Sequence, residues 1–478
     1  MVDLSKRDLL RFSGLAGGAV ALGSQLAGCG LGSSAQAAEL PASEKNTLLA
    51  SLPSYIPGSE PLAHDQMRIS FMGTTPLERP TQSCSSVFVE LGNGDCFVFD
   101  CGAGSTVNYT AMQIAYSKMR KIFLTHLHGD HTSDLTHIYC FGPQGDAKSP
   151  LYVWGPSASG VPDPIDGTLY DDGTLNFCQH FREMNRWHTE SQSFVPTRYK
   201  GAEGDGYDLF ATELNWKTGD TSRSWSTNPS IPKPPSGHWI AYENNGVRIS
   251  YFPAVHDRNG SISYKLEWNG LSMIFTGDTK PSQFLIDSAS NGQSGVDVLI
   301  SEIVVPPQFW ATKLSGQSDT SNLNYQLGLK NAWAVQENSH TPQKAFGYIL
   351  NEIAKRGKAP RLAVGTHFQA ADETIVPALA DIRSWYSAGP VTIASDLMVI
   401  DVSKQAVTPR RAIVSDYCWN PPPADPRSGN VEAPKYRDLR PGNPFAPMAP
   451  LAQFDPWLLA NVIDPCDYDP QDLSCKKT

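Results

Sequence analysis

The sequence predicts an α/β fold, and three observations carry that expectation. Short apolar, partly β-branched runs recur through the middle of the chain, among them Lys121–Thr125, Leu151–Gly155, Val247–Phe252, Met273–Thr276 and Leu362–Thr366. Runs of this length, bounded by turn residues, read as buried strands. Stretches with helical spacing of apolar residues lie between some of them, as at 107–119 and 341–355. Several of the runs also end on a histidine or a carboxylate, which places polar chemistry along one rim of a sheet.

The densest such ending is Thr125-His126-Leu127-His128-Gly129-Asp130-His131. On a continuing strand His126 and His128 would point the same way, because side chains repeat every second residue. Gly129 is expected to permit a sharp turn that swings Asp130 and His131 to a second point. One stretch can thus offer two ligands to one metal ion and two to its neighbour. Unpaired, four such groups would repel and desolvate one another at a cost. Imidazole and carboxylate suit zinc, and manganese or iron accept the same donors.

Length and composition set the outer limits. A chain of 478 residues allows one large domain or two ordinary ones. Net charge is −10, charged residues make up 18%, and Gly (39) and Pro (37) are plentiful. That balance argues against a nucleic-acid surface, which needs clustered Lys and Arg. The nine cysteines include no C-x-x-C pair, so a thiolate zinc site is not expected.

Taken in order, residues 1–28 read as an export signal, with Lys6-Arg7 before an apolar run from Leu9 to Leu26. Ser5-Lys6-Arg7-Asp8-Leu9-Leu10 resembles a twin-arginine signal with Lys in place of the first Arg. Leu26-Ala27-Gly28-Cys29 is similar to a bacterial lipobox, which implies a lipid on Cys29 and a periplasmic or cell-surface location. Cleavage after Ala35-Gln36-Ala37, or an uncleaved anchor, are the alternatives. Residues 29–66 are rich in Ser, Ala, Gly and Pro and read as a tether. The strand-rich domain spans 67–400. Its rhythm breaks at about 157–240, a loop-rich insertion expected to lie over the site, where His180, His188 and His238 read as surface or structural. His137 reads as structural too. The pattern resumes at Val247 and runs to His256. Asn269-Gly270 then marks a hairpin turn, and Asp278, Glu302 and His367 each end or follow a strand. Residues 401–478 read as an extended, proline-rich C-terminal tail, in which Cys466 and Cys475 are the best candidates for a disulfide.

The His126–His131 stretch resembles the H-x-H-x-D-H signature of the metallo-β-lactamase superfamily. Met67–Thr74, Ser85–Glu90 and Cys96–Gly102 resemble the strands that open its fold, and together they are most similar to the ribonuclease Z and arylsulfatase-like branch. The resemblance implies an αββα sandwich holding two metal ions, with zinc expected and manganese or iron as alternatives. It implies that His126, His128 and His256 hold one ion, that Asp130, His131 and His367 hold the other, and that Asp278 bridges them. A bridging water with its pKa lowered toward about 7 would be the nucleophile, and Asp130 would orient it. His340, partnered by Glu302, would protonate the leaving group, although Ser301 stands where that branch typically has a histidine. The function so implied is hydrolysis of a phosphodiester or sulfate ester. A lactone or β-lactam acyl hydrolase and a non-catalytic binding lipoprotein are the competing readings. The expected partners are a small-molecule or ester substrate rather than nucleic acid, and a membrane only through the lipid on Cys29. No oligomeric state is implied.

Overall fold

The computed structural model describes residues 52–192, 195–292, 295–419, 421–432 and 455. Two sheets face each other. The first has ten strands, ordered Ser54–Tyr55, Val407–Ala412, Met398–Val402, Met67–Gly73, Ser86–Leu91, Cys96–Phe99, Lys121–Phe123, Leu151–Pro156, Leu209–Leu214 and Ser224–Ser226. The second has seven, ordered Val391–Ile393, Leu362–Thr366, Val298–Glu302, Leu271–Phe275, Ile262–Trp268, Val247–Pro253 and Ile240–Asn244.

The alternation of side chains along each strand divides them between two layers. Met67, Ile69, Phe71, Val87, Val89, Phe97 and Phe99 point inward and meet Tyr264, Met273, Ile300 and Val364 of the second sheet. Their neighbours Met72, Phe88, Val98 and Ile122 point outward, onto Tyr109, Leu135, Ile138 and Leu175 of the flanking helices. The second sheet repeats the plan: Ile274, Leu299 and Ala363 pack against Leu285, Phe346, Ile349 and Leu379. Helix, sheet, sheet and helix are therefore stacked as the expected αββα sandwich. The inner layer is strongly aromatic behind the His126–His131 segment. Phe123 lies flat on Trp154 with centroids 4.5 Å apart, and Phe99 bridges to both Tyr264 and Phe275 across the sheets.

Local features agree with the sequence in some places and not in others. Asn269 and Gly270 both take positive φ, 50° and 77°, and join Trp268 to its register partner Leu271 as a two-residue hairpin loop. The helix expected over 107–119 is shorter. It runs Ser105–Ala111, is halted where Gln113 turns to φ 55°, and is succeeded by a 3-10 turn at Tyr116–Met119. The insertion carries regular structure that its punctuation conceals: a helix at Thr174–Met184, and the strand Leu209–Leu214 paired in parallel with Leu151–Pro156. Two helices, Pro307–Ser315 and Leu323–Ser339, have no counterpart among the sequence expectations.

The boundaries at 66 and 400 need correction. Ser54–Tyr55 pairs in parallel with Arg411–Ala412, and Met398–Val402 with Val407–Ala412 forms a hairpin beside Met67–Gly73. The reason is a polar seam. Arg68 reaches Asp401 at 2.7 Å and the Tyr55 hydroxyl at 3.1 Å, while Arg410 pairs with Glu60 at 2.6 Å. Val407–Ala412, held by such contacts, carries no apolar rhythm, whereas Met398, Ile400 and Val402 of its partner strand enter the inner core. The export signal, Cys29, Cys466 and Cys475 lie outside the described residues. Of the cysteines within them, Cys84, Cys96, Cys101, Cys140 and Cys178 are buried free thiols.

The stacked aromatic layer gives a direct test. Phe123 is fully buried, and large-to-small changes at such sites cost about 3–5 kcal/mol. Phe123→Ala is expected to lose that much in urea unfolding monitored by near-UV circular dichroism. A loss under about 1 kcal/mol would mean that the ring does not tie the sheets together.

Candidate metal centre

The strand Lys121–Phe123 stops just short of the histidines, and hydrogen bonds fix the residues after it. The Tyr264 hydroxyl donates to the Leu124 carbonyl at 2.8 Å, and the Ile262 amide donates to that of Thr125 at 3.0 Å. Thr125 donates both its amide and its hydroxyl to Asp100, each at 2.8 Å. His128 then caps the short helix Gly129–Thr132. Gly129 is helical with no positive φ, so the glycine-dependent turn expected there is absent. The position that requires glycine is Gly277. Its φ is 58°, and a Cβ there would lie 2.4 Å from Thr125 Cβ. This close approach brings Asp278 up to the histidines.

The seven residues expected as ligands converge. His126 Nε2 lies 3.0 Å from His128 Nδ1, which lies 3.3 Å from His256 Nε2. Beside them, His367 Nε2 lies 3.1 Å from Asp130 Oδ2. His131 Nε2 is 3.4 Å from that oxygen and 3.3 Å from Asp278 Oδ1. Asp278 faces both groups: Oδ1 is 3.5 Å from His367 Nε2, and Oδ2 is 3.7 Å from His256 Nε2. With metal–ligand bonds of roughly 2.0–2.2 Å, donors around one ion stand about 3–4 Å apart, so both clusters match.

Two further observations fit metals. His131 Nε2 and Asp278 Oδ1 are buried polar atoms with no hydrogen-bond partner among the described residues, a costly arrangement unless a cation binds them. Burial, together with neighbouring His131, holds His126 well below the usual imidazole range, and burial with His256 depresses His128. Both therefore offer lone pairs. Burial opposes a charged His131, but Asp278, Asp130 and Asp100 outweigh it and raise its pKa well above the ordinary value. Three carboxylates thus draw positive charge to this point, from a proton or from a metal ion in its place.

An outer layer sets which nitrogen faces inward. His131 Nδ1 donates to Asp100 Oδ2 at 2.7 Å, and His256 Nδ1 donates to the Ser339 carbonyl at 2.9 Å. Asp100 and His367 hold left-handed backbone, φ 56° and 57°, which costs on the order of 1–3 kcal/mol each outside glycine. Asp100 is absent from the residues that the sequence singles out, yet it carries the signal that marks Asp278: a carboxylate just past an apolar run.

His340 stands beside the clusters as the C-cap of Leu323–Ser339, not as a residue leading directly into a helix, since the next one begins at Gln343. Its Nδ1 donates to Glu302 Oε1 at 3.1 Å. That oxygen also accepts from the Thr279 and Thr341 amides at 3.0 and 3.2 Å. Burial would lower the His340 pKa, but Glu302 and Asp278 outweigh it and raise it to about 9. His137 is bonded to the Tyr116 hydroxyl at 3.1 Å, and His188 Nε2 to the Cys140 carbonyl at 3.0 Å. Neither they nor His180 and His238 belong to a cluster of candidate ligands.

Comparison with known proteins finds relatives of this chain. Residues 79–139 match the family model described as the metallo-beta-lactamase superfamily. The chain is 31% identical over 314 residues to ribonuclease BN of Proteus mirabilis, covering 64% of this chain and 90% of that protein. It is 35% identical over 95 residues to human zinc phosphodiesterase ELAC protein 1, covering 19% of this chain but only 26% of that one. Among solved structures, the short form of human tRNase Z aligns over 70% of this chain and 98% of its own, with 20% identity and a TM-score of 0.42.

Asp100 touches no proposed ion, so its role is measurable apart from the ligands. Asp100→Asn is expected to weaken metal binding by about 10–100-fold, as measured by chelator competition on folded protein. Unchanged affinity would separate Asp100 from the centre.

Proposed function

Because the chain belongs to the metallo-β-lactamase superfamily, within its ribonuclease Z/BN family, we propose that this hydrolase cleaves phosphodiesters with two zinc ions at its paired clusters. The observation that carries the reading is the Asp278 carboxylate facing both clusters with the His340–Glu302 pair alongside. A pair of zinc ions held there would supply an acidified water as nucleophile and polarise the ester.

The remaining work falls to this chain's own groups. His126, His128 and His256 would hold one ion through ring nitrogens, and Asp130, His131 and His367 the other, with Asp278 placed to serve both. Asp130, part-exposed at 24%, would orient the attacking water by accepting a hydrogen bond from it. His340 gives a proton to the departing oxygen from the nitrogen that Glu302 leaves free. Glu302 keeps the ring oriented and balances its charge.

The relatives' names, ribonuclease and zinc phosphodiesterase, favour phosphorus over sulfur or acyl carbon as the centre attacked. They also weaken the expectation, drawn from net charge alone, that nucleic acid is no substrate. The test is therefore a panel of an aryl phosphodiester, a short RNA, an aryl sulfate and a lactone. The reading expects turnover of the phosphodiester well above the last two. Preference for the lactone would replace it with acyl hydrolysis, and no turnover would favour a binding role.

We also propose export with a lipid on Cys29. Cys29→Ser is expected to abolish lipid labelling and membrane fractionation, and unchanged fractionation would refute it.

General acid help is typically worth about 10²–10⁴-fold and matters for poor leaving groups. His340→Ala is therefore expected to slow an alkyl phosphodiester by that factor while sparing a nitrophenyl one, with metal content intact. Glu302→Gln is expected to give a weaker version of the same pattern. Equal slowing of both substrates would make His340 a substrate-positioning group, and loss of metal would make it a ligand.

A further inference from the structure

A cleft of about 510 Å³ opens directly beside His256, within the roughly 300–1,000 Å³ typical of small-molecule sites. Its walls are largely aromatic. Trp216 and Trp239 come from the insertion, Phe252 from the strand leading to His256, and Phe284 from the helix Gln283–Ser290. His256 belongs both to this lining and to the three-histidine cluster, so the cleft adjoins the reaction centre.

The two indoles are held rigidly. Trp216 Nε1 donates to the Ala158 carbonyl at 3.2 Å. Trp239 has φ 58°, a conformation rare outside glycine. It is kept there by its amide donating to the Gly219 carbonyl at 2.9 Å and by its carbonyl accepting from Tyr251 at 3.1 Å. The indole packs so closely on Gly219 that a Cβ there would meet ring atoms at 2.5 Å. Phe284, by contrast, is 48% exposed. Lys217, also in the lining, is exposed and has no ion pair among the described residues.

We infer that this cleft receives a planar aromatic group attached to the substrate phosphate, a nucleobase or an aryl ring, with Trp216, Trp239 and Phe284 as its stacking surfaces. The inference rests on the phosphodiesterase reading. Flat, immobilised rings bind flat partners at little entropic cost, and any base or aryl ring presents a π-face. The Lys217 ammonium complements the anionic phosphate and disfavours a neutral apolar occupant. The insertion, which supplies both indoles, thereby selects substrate for a centre built by the rest of the chain.

The test is calorimetric binding to zinc-loaded full-length protein of adenosine monophosphate, phenyl phosphate and methyl phosphate. At least one aromatic ligand is expected to bind about 10-fold or more tightly than methyl phosphate. Adenosine as the tighter binder identifies a nucleobase site, and phenyl as the tighter an aryl site. Trp216→Ala should bring the ratio toward one while leaving methyl phosphate affinity unchanged. Phe284→Ala, at a half-exposed position outside the buried core clusters, should lower it in the same direction. Equal binding of all three ligands by the wild type, or a ratio untouched by both substitutions, overturns the inference. Hydrolysis of methyl p-nitrophenyl phosphate is measured alongside. If it occurs while the ratio is one, the cleft assignment alone fails. If it is absent, the phosphodiesterase reading fails, whatever the binding ratio.

Discussion

Asp278 is a carboxylate only 3% exposed, set between two groups of imidazoles. Burying such a charge is expensive unless positive charge meets it. Here both oxygens face imidazole nitrogens of the two clusters, and one of them, Oδ1, has no hydrogen-bond partner among the described residues. The chain goes to some length to keep it there. Gly277 takes a left-handed conformation and packs its α-carbon against Thr125, which only the absence of a Cβ allows. Thr125 in turn is gripped by Asp100, and Asp100 by His131. One buried anion thus fixes the backbone on both sides of it.

Neither sheet could build this centre alone. His126, His128, Asp130 and His131 lie just past a strand of the first sheet, while His256, Asp278, Glu302 and His367 end or succeed strands of the second. Their meeting depends on how the two inner faces interlock, and the aromatic layer of Phe99, Phe123, Trp154 and Tyr264 lies directly behind it. The Tyr264 hydroxyl on the Leu124 carbonyl carries that registration into the His126–His131 segment itself. Fold and candidate centre share these contacts, so a packing defect in the sandwich would displace the clustered side chains.

The candidate ligands at strand ends are legible in the sequence because each closes a short apolar run and together they complete a coordination set. Asp100 has the same signature, but no further candidate ligand stands beside it to draw the eye. The helices Pro307–Ser315 and Leu323–Ser339 are not legible. Their apolar residues form no clear stripe, although the Asn322 side chain does cap the second helix by accepting from the Asn324 amide. The second strand of the hairpin, Val407–Ala412, is hidden for a different reason, since Arg410 holds it through Glu60 and Asp401 and it has no apolar alternation of its own. The aromatic cleft is equally hidden. Trp216 and Trp239 are scattered among turn residues, and only folding brings them to the edge of His256.

The central claim is that Asp278 holds two ions at once. Elemental analysis of purified, zinc-equilibrated protein tests it most directly. The account predicts about two zinc ions per chain in the wild type, and loss of both in Asp278→Ala with the fold retained by circular dichroism. A wild type binding a single ion, or an Asp278→Ala protein that keeps two, would contradict it.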